Sequence, residues 1–137
     1  MIARIWSGWT RRADSEEYLK YLQETGARDC AATEGNLGTF ILRREAHDDA
    51  EFLFLTLWDS LDSVRLFSGP DETKAVYYPE DRRILRRLDP TVSHFEVAYS
   101  TAEDPAALRA DAKDNPDPSG SGESTEHSWM QYLVTLR

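Results

Sequence analysis

The run Glu51-Phe-Leu-Phe-Leu-Thr-Leu-Trp58 constrains this chain more than any other feature. It holds no glycine or proline and, after Glu51, no charge. In an extended chain successive side chains point to opposite faces. Leu53, Leu55 and Leu57 therefore line one face, and Phe52, Phe54, Thr56 and Trp58 the other. A strand apolar on both sides belongs in a sheet covered on both sides. At 137 residues, with 40% hydrophobic and 30% charged residues, the chain has the length and balance of one ordinary globular domain.

The flanking sequence supplies the partners of that strand. Residues 2–9 alternate loosely and are rich in Ile and Trp, a first strand. Asp14 or Ser15 offers an N-cap, with Glu16 and Glu17 in the first turn where the helix dipole favours them. Tyr18, Leu22 and Thr25 mark one face of that helix, Gly26 reads as its stop, and 27–35 as loop. A second strand is expected at 37–44, followed by a turn at His47-Asp48-Asp49. Asp59 or Ser60 caps a second helix through Leu61, Val64 and Phe67, ended by Gly69-Pro70. Helical pieces are expected from Asp71 to Tyr77 or Tyr78 and, after Pro79, over Glu80–Leu88 with Ile84, Leu85 and Leu88 buried. Asp89-Pro90 breaks the latter, and Thr91–Ser100 is a last alternating strand. The order is β-α-β-β-α-β, an α+β, ferredoxin-like antiparallel sheet.

Helices cover one face of such a sheet, and the other is bare unless a partner covers it. In the last strand Phe95, Val97 and Tyr99 oppose Val92, His94, Glu96 and Ala98, and in the first Ala3 and Ile5 oppose Arg4 and Trp6. The uniformly aliphatic set is expected under the helices, and the mixed set of aromatics, Arg4, His94 and Glu96 on the bare face. With first and last strands adjacent, Arg4 is expected across from Glu96.

Charge narrows the partners. The net charge is −9, from 25 acidic and 16 basic residues, which excludes nucleic acid as the main partner and disfavours an anionic membrane. The excess is uneven. Residues 1–100 carry 18 acidic and 13 basic residues, whereas 101–128 carry seven acidic residues against Arg109 and Lys113. That stretch has no Phe, Trp or Tyr, contains three prolines and the run Ser119-Gly120-Ser121-Gly122, and reads as an acidic flexible linker. Residues 129–137 are β-prone again and are expected to add a C-terminal strand. The single Cys30 cannot form an intramolecular disulfide, and the His spacing offers no metal site. No membrane span or signal peptide is evident, so a cytoplasmic protein is expected.

The segments Leu55-Thr56-Leu57-Trp58-Asp59-Ser60, Met1-Ile-Ala-Arg-Ile-Trp6, Ala75-Val-Tyr-Tyr-Pro-Glu-Asp81 and Val92-Ser-His-Phe-Glu-Val97 resemble the antibiotic biosynthesis monooxygenase family, over residues 1–100. The resemblance implies a homodimer of ferredoxin-like domains that pair their sheets into a dimeric α+β barrel. Family members include cofactor-independent oxygenases of aromatic polyketides, quinol oxygenases and haem-degrading enzymes. Trp58 matches the Trp shared by the oxygenase and haem-degrading branches. Phe54 stands where anthrone-type oxygenases carry Asn, and Ser7 and Tyr77 where haem-degrading members carry Asn and His.

The expected function is a cofactor-independent monooxygenase of secondary, polyketide-type metabolism, acting on a phenolic small molecule in an aromatic-lined cavity. His94, with Glu96 and Arg4 behind it, is the expected base; Trp58 and Tyr77 complete the catalytic set. Arg4, Trp6, Phe52, Phe54 and Tyr78 are the expected substrate-binding residues. No cofactor or metal is expected. The same cavity also suits an oxygen-independent cyclase, isomerase or dehydratase, or a non-catalytic small-molecule or haem-binding protein. Trp58 and Trp6 read equally as packing residues, and His94 with Glu96 as a structural pair.

Overall fold

A computed structural model describes residues 1–102. Met1–Val97 form one compact unit. The expected linker beyond residue 102 and the strand at 129–137 lie outside the described residues.

The unit is built on β1 (Ile2–Arg11), β2 (Asn36–Ala46) and β3 (Asp49–Trp58), with β3 hydrogen-bonded between the other two. β2 and β3 form a hairpin closed by His47 and Asp48, where His47 takes a φ of 56°. The far side of β1 is shared by two short strands, β4 (Leu85–Leu88) against Gly8–Thr10 and β5 (Ser93–Glu96) against Ile2–Ile5, all antiparallel. Together they fill the fourth place of a ferredoxin-like sheet, so the first and last strands are neighbours, as expected.

The helical layer differs from expectation at one end. α1 (Ser15–Leu22) follows a 3₁₀ turn at Arg12–Asp14 and carries Glu16 and Glu17 in its first turn. It does not stop at Gly26. The chain passes through a wider π-type turn, Gln23–Ala27, into α2 (Arg28–Ala32), so residues read as loop are mostly helical. Gly26 is buried, and a β-carbon there would sit 3.5–3.7 Å from Leu22, Phe54 and Tyr78. Packing of this segment on the sheet overrides the helix-ending tendency of glycine. The stop falls at Thr33, which is extended, and the chain turns back at Gly35. Gly35 has a φ of +89°, and an added β-carbon would lie 2.1 Å from Ser63 Oγ. Only glycine makes that turn.

α3 (Leu61–Ser68) starts as expected: Ser60 accepts a hydrogen bond from the Ser63 N–H at 3.2 Å and Gly69 ends it with a φ of 86°. Beyond it the expectation fails twice. Residues 71–78 form an irregular strap rather than a helix, tied by backbone hydrogen bonds from Ala75 N–H to Pro90 O (3.0 Å) and from Val92 N–H to Thr73 O (2.9 Å). The carbonyls of Glu72 and Lys74 point at Arg4, which removes them from any helical ladder. After the strap, α4 (Asp81–Ile84) is a single turn, and Leu85–Leu88 is the strand β4. Pairing with β1 outweighs local helix propensity there and still buries Ile84 and Leu85.

The largest correction concerns the two faces of the sheet. Trp6, Ala50 and Phe52 pack against Tyr18 and Leu22 of α1, and Trp58 against Cys30 of α2 and Val64 of α3. The mixed set is therefore the helix-covered one. Arg4 pairs with Thr56, Trp6 with Phe54 and Gly8 with Phe52 across β1 and β3, so all share that face. The aliphatic set, Ile5, Leu53, Leu55 and Leu57, joins Phe40, Leu42 and Phe95 on the open face. Leu42 is 39% and Phe95 57% exposed. Aromatic rings reach farther from the sheet than leucines and fill the gap to the tyrosine-bearing helix.

Candidate functional site

β1 positions the first half of the site. Arg4, near its start, is 5% exposed, and its partner in register on β5 is His94, two residues short of the expected Glu96. Glu96 lies opposite Ile2 and is exposed. The Arg4 guanidinium donates to Glu72 O at 2.6 Å and to Lys74 O at 3.0 Å, and its Nη1 lies 3.3 Å from His94 Nε2. Guanidinium has donors only, so in this contact Nε2 is the acceptor, the role that the neutral ring offers. The electrostatics agree: burial and the Arg4 charge hold the imidazole below the ordinary histidine range, against a smaller opposing pull from Glu72. Arg4 also sits 5.9 Å over the Phe67 ring.

The second half lies farther along the same face. Trp6 is 8% exposed and donates its indole N–H to the Tyr77 hydroxyl at 3.0 Å, with the rings edge to face at 6.2 Å. Tyr77 in turn donates to the carbonyl of Asp89, and Arg82 lies 5.9 Å from its ring centroid. Tyr18 donates to Asp81 Oδ1 at 3.0 Å, and the Tyr78 N–H donates to Asp81 Oδ2 at 2.6 Å. Burial raises the Asp81 carboxyl, while these two donors pull it down. Tyr78 donates its hydroxyl to Asp29 Oδ2 at 2.6 Å. Tyr77 and Tyr78 are both half-buried.

The expected site residues thus fall into two groups bridged by Phe54, which packs against both core clusters. Arg4 and His94 form one contact and Trp6 with Tyr77 another. Phe52 is fully buried, edge to face with Tyr18 at 5.1 Å. Trp58 is fully buried too, stacked on Phe67 at 6.2 Å, with its N–H donated to Thr56 Oγ1 at 2.8 Å. Ser7 lies on the open face and points away from Trp58 and Tyr77. The two positions matched to a haem-degrading site therefore do not converge.

Tyr18, Asp81, Phe67 and the strap carbonyls were not expected at the site, and neither was Cys30, whose buried thiol is pushed up to about 12. Gly8 was not expected there either, although the Trp6-x-Gly8 spacing was a usable signal. The Trp6 ring lies over Gly8, where a β-carbon would come 2.2 Å from the ring. Gly8→Ala is expected to displace the indole, break its bond to Tyr77 and destabilise the fold by about 1–3 kcal/mol, the usual range for overpacking. Chemical denaturation with tryptophan fluorescence reads both effects, and an unshifted spectrum with unchanged stability refutes the account.

Fold and site together define a ferredoxin-like α+β domain with an aromatic, polar-studded face enclosed between sheet and helices. No family model matches the sequence, and no curated protein matches it. Solved structures do match. A Bacillus cereus protein assigned as an antibiotic biosynthesis monooxygenase aligns with 74% of this chain and 97% of its own, at 14% identity and a TM-score of 0.53. An arginine-to-serine variant of MhuD, holding two manganese protoporphyrin IX molecules per active site, aligns with 75% of this chain and 100% of its own, at 16% identity and a TM-score of 0.50. Rv0793 from Mycobacterium tuberculosis aligns with 74% of this chain and 100% of its own, at 14% identity and a TM-score of 0.50. At such identities the likeness is one of fold, and the expected ferredoxin-like α+β fold is confirmed.

Proposed function

We propose that the protein is a small-molecule enzyme, a cofactor-independent monooxygenase acting on a phenolic substrate bound on the helix-covered face. The observation that carries this reading is His94, a half-buried imidazole whose neutral form is favoured by burial and by the buried guanidinium beside it. A neutral imidazole at physiological pH can take a phenolic proton. The resulting electron-rich anion reacts with O₂ at a ring-activated methylene. One oxygen atom becomes the new carbonyl, the other leaves as water with the two methylene hydrogens, and the substrate supplies all four electrons. Trp6 and Tyr77 orient the ring system, Phe54 lies between them and His94's end of the face, and Tyr78, Phe52 and Trp58 shape the walls. Glu96, exposed, has no step in this scheme. The fold likeness to a protein assigned as a monooxygenase supports the class of reaction.

The test is oxygen uptake by chelator-treated protein with an anthrone-type phenol. One O₂ consumed per ketone formed is expected. Equal turnover without oxygen defeats oxygenation in favour of cyclisation, isomerisation or dehydration. A Soret band on adding haem, lost in His94→Ala, favours haem binding instead.

The open face completes the proposal. Ile5, Phe40, Leu42, Leu53, Leu55, Leu57 and Phe95 form a contiguous apolar surface of a kind that monomers rarely expose. A second copy of the chain covers it, forming the dimeric barrel. Sedimentation at micromolar concentration is expected to give a dimer, and Leu55→Asp a monomer. A monomeric wild-type protein overturns the barrel.

A further inference from the structure

The helix-covered face is closed to water in this structure. Arg4, Trp6, Phe52, Thr56 and Trp58 are each at most 8% exposed, so a small molecule reaches that face only if one of its covers moves. The covers are not equally held. α1, α2 and α3 each anchor buried side chains in the core: Tyr18 and Leu22, Cys30, and Val64. The strap, residues 71–78, buries none of its own, and its Ala75 and Tyr77 touch the core only from the edge. Its fastenings are polar: Arg4 donates to two of its carbonyls, Trp6 donates to Tyr77, and Tyr78 is tied to Asp81 and Asp29. Such bonds are exchanged for bonds to water at little net cost, unlike the contacts of a buried ring. Gly69, just before the strap, has a φ of +86°, and a β-carbon there would meet nothing within 4 Å, so no packing fixes that end. Pro79, at the other end, is exposed.

We propose that the strap is the gate of the site: it swings on Gly69-Pro70 and Pro79, uncovers Arg4 and the Trp6–Tyr77 pair, and admits the small molecule there. The proposal rests on the reading of the helix-covered face as the substrate site, and it adds how that site opens. The strap lies on the connector between β4 and β5, which is fixed at both ends by pairing with β1, so the strap moves and the connector stays. The two meet at Lys74 and Thr91, where the Ala75 N–H donates to Pro90 O and the Val92 N–H to Thr73 O. That pattern makes Lys74 and Thr91 a non-hydrogen-bonded antiparallel pair, whose α-carbons stand about 4.5 Å apart, within reach of a disulfide. Both residues are exposed. Cys30, the single native cysteine, is a built-in reporter. It is fully buried, packs with Trp58 and interacts electrostatically with Arg4 and Tyr78, so water reaches it when the strap lifts.

The test is the double variant Lys74→Cys/Thr91→Cys in the full-length chain, which clamps the strap when oxidised and frees it when reduced. Iodoacetamide labelling of Cys30, read by mass spectrometry of its peptide, is expected to be about tenfold slower in the oxidised form. After reduction and desalting it is expected to return to the wild-type rate, with the circular dichroism spectrum unchanged throughout. The wild-type rate is expected to rise only weakly with urea, because strap opening exposes little surface. Equal Cys30 rates in the two forms, or labelling that climbs with urea as steeply as global unfolding, overturns the gate. Should the double variant not fold, hydrogen exchange of the wild-type protein decides. The Ala75 and Val92 amides are then expected to exchange about tenfold faster than those of β3, and equal rates overturn the proposal. Clamp-controlled Cys30 labelling without oxygen uptake from an anthrone-type phenol upholds the gate and removes the oxygenase. Oxygen uptake at the same rate in clamped and reduced protein does the reverse.

Discussion

Trp58→Ala is expected to lower the free energy of unfolding by about 3–5 kcal/mol, the range for emptying a buried tryptophan site. The indole is fully buried at the junction of β3 and α3, stacked on Phe67 and packed with Val64 and Cys30. Ile2, Leu61 and Phe54 close around it, so three elements of the fold meet on this one ring. Its N–H is donated to Thr56 Oγ1, and both groups are out of water. Trp58→Phe refills much of the volume but leaves the Thr56 hydroxyl without its donor, and a smaller loss of about 1–3 kcal/mol is expected. Urea unfolding monitored by circular dichroism measures both. A near-neutral Trp58→Ala means that the cluster is not the keystone described here. The pair also separates packing from chemistry: Trp58→Phe with full turnover assigns the ring to the wall of the site.

His94→Ala is expected to reduce kcat/KM by about 10²–10⁴-fold, the usual contribution of a general base. Since burial and Arg4 hold the imidazole below the ordinary histidine range, the acid limb of the wild-type profile is expected below pH 6.5, with activity persisting to lower pH than for an unperturbed histidine. The same shift acts on stability with a definite sign. In the unfolded chain His94 takes up a proton at its ordinary value, and in the folded chain only at a lower one. Its contribution is therefore complete above the unfolded value and is lost as pH falls through the folded one. His94→Gln can still accept from Arg4 but does not titrate, so its stability is expected to fall less between pH 7 and pH 5. Full activity in His94→Ala, or identical pH profiles of stability for wild type and His94→Gln, contradicts the assignment.

Much of the scaffold was legible in the sequence. The alternation in 51–58, the Ser60 cap and the adjacency of first and last strands all follow from local chemistry and are all present. What failed did so for nameable reasons. Gly26 carries a helix because Leu22, Phe54 and Tyr78 hold it there, a tertiary fact with no local trace. Residues 71–78 have helix-compatible side chains, but their carbonyls serve Arg4, and backbone acceptors are invisible in a sequence. The faces were exchanged because both sets in β3 are apolar, and polarity in Arg4 and His94 pointed to a solvent-accessible side. Only the reach of the rings toward Tyr18 and Val64 separates the two. The site was half legible: Arg4 and His94 do meet, while Glu96 stands one alternation too far.

Along β1, β3 and β5 the two faces fall on a numerical parity, which β2 inverts by placing Phe40 and Leu42 on the outside. Arg4, Trp6, Gly8, Phe52, Phe54, Thr56, Trp58 and His94, all even, lie under the helices, and Ile5, Leu53, Leu55, Leu57 and Phe95, all odd, lie on the outside. Helix-side and outer residues are thus interleaved along the same strands. The vulnerability is insertion: one extra residue within β1 or β3 would exchange the two faces beyond it and bring the leucines under the helices.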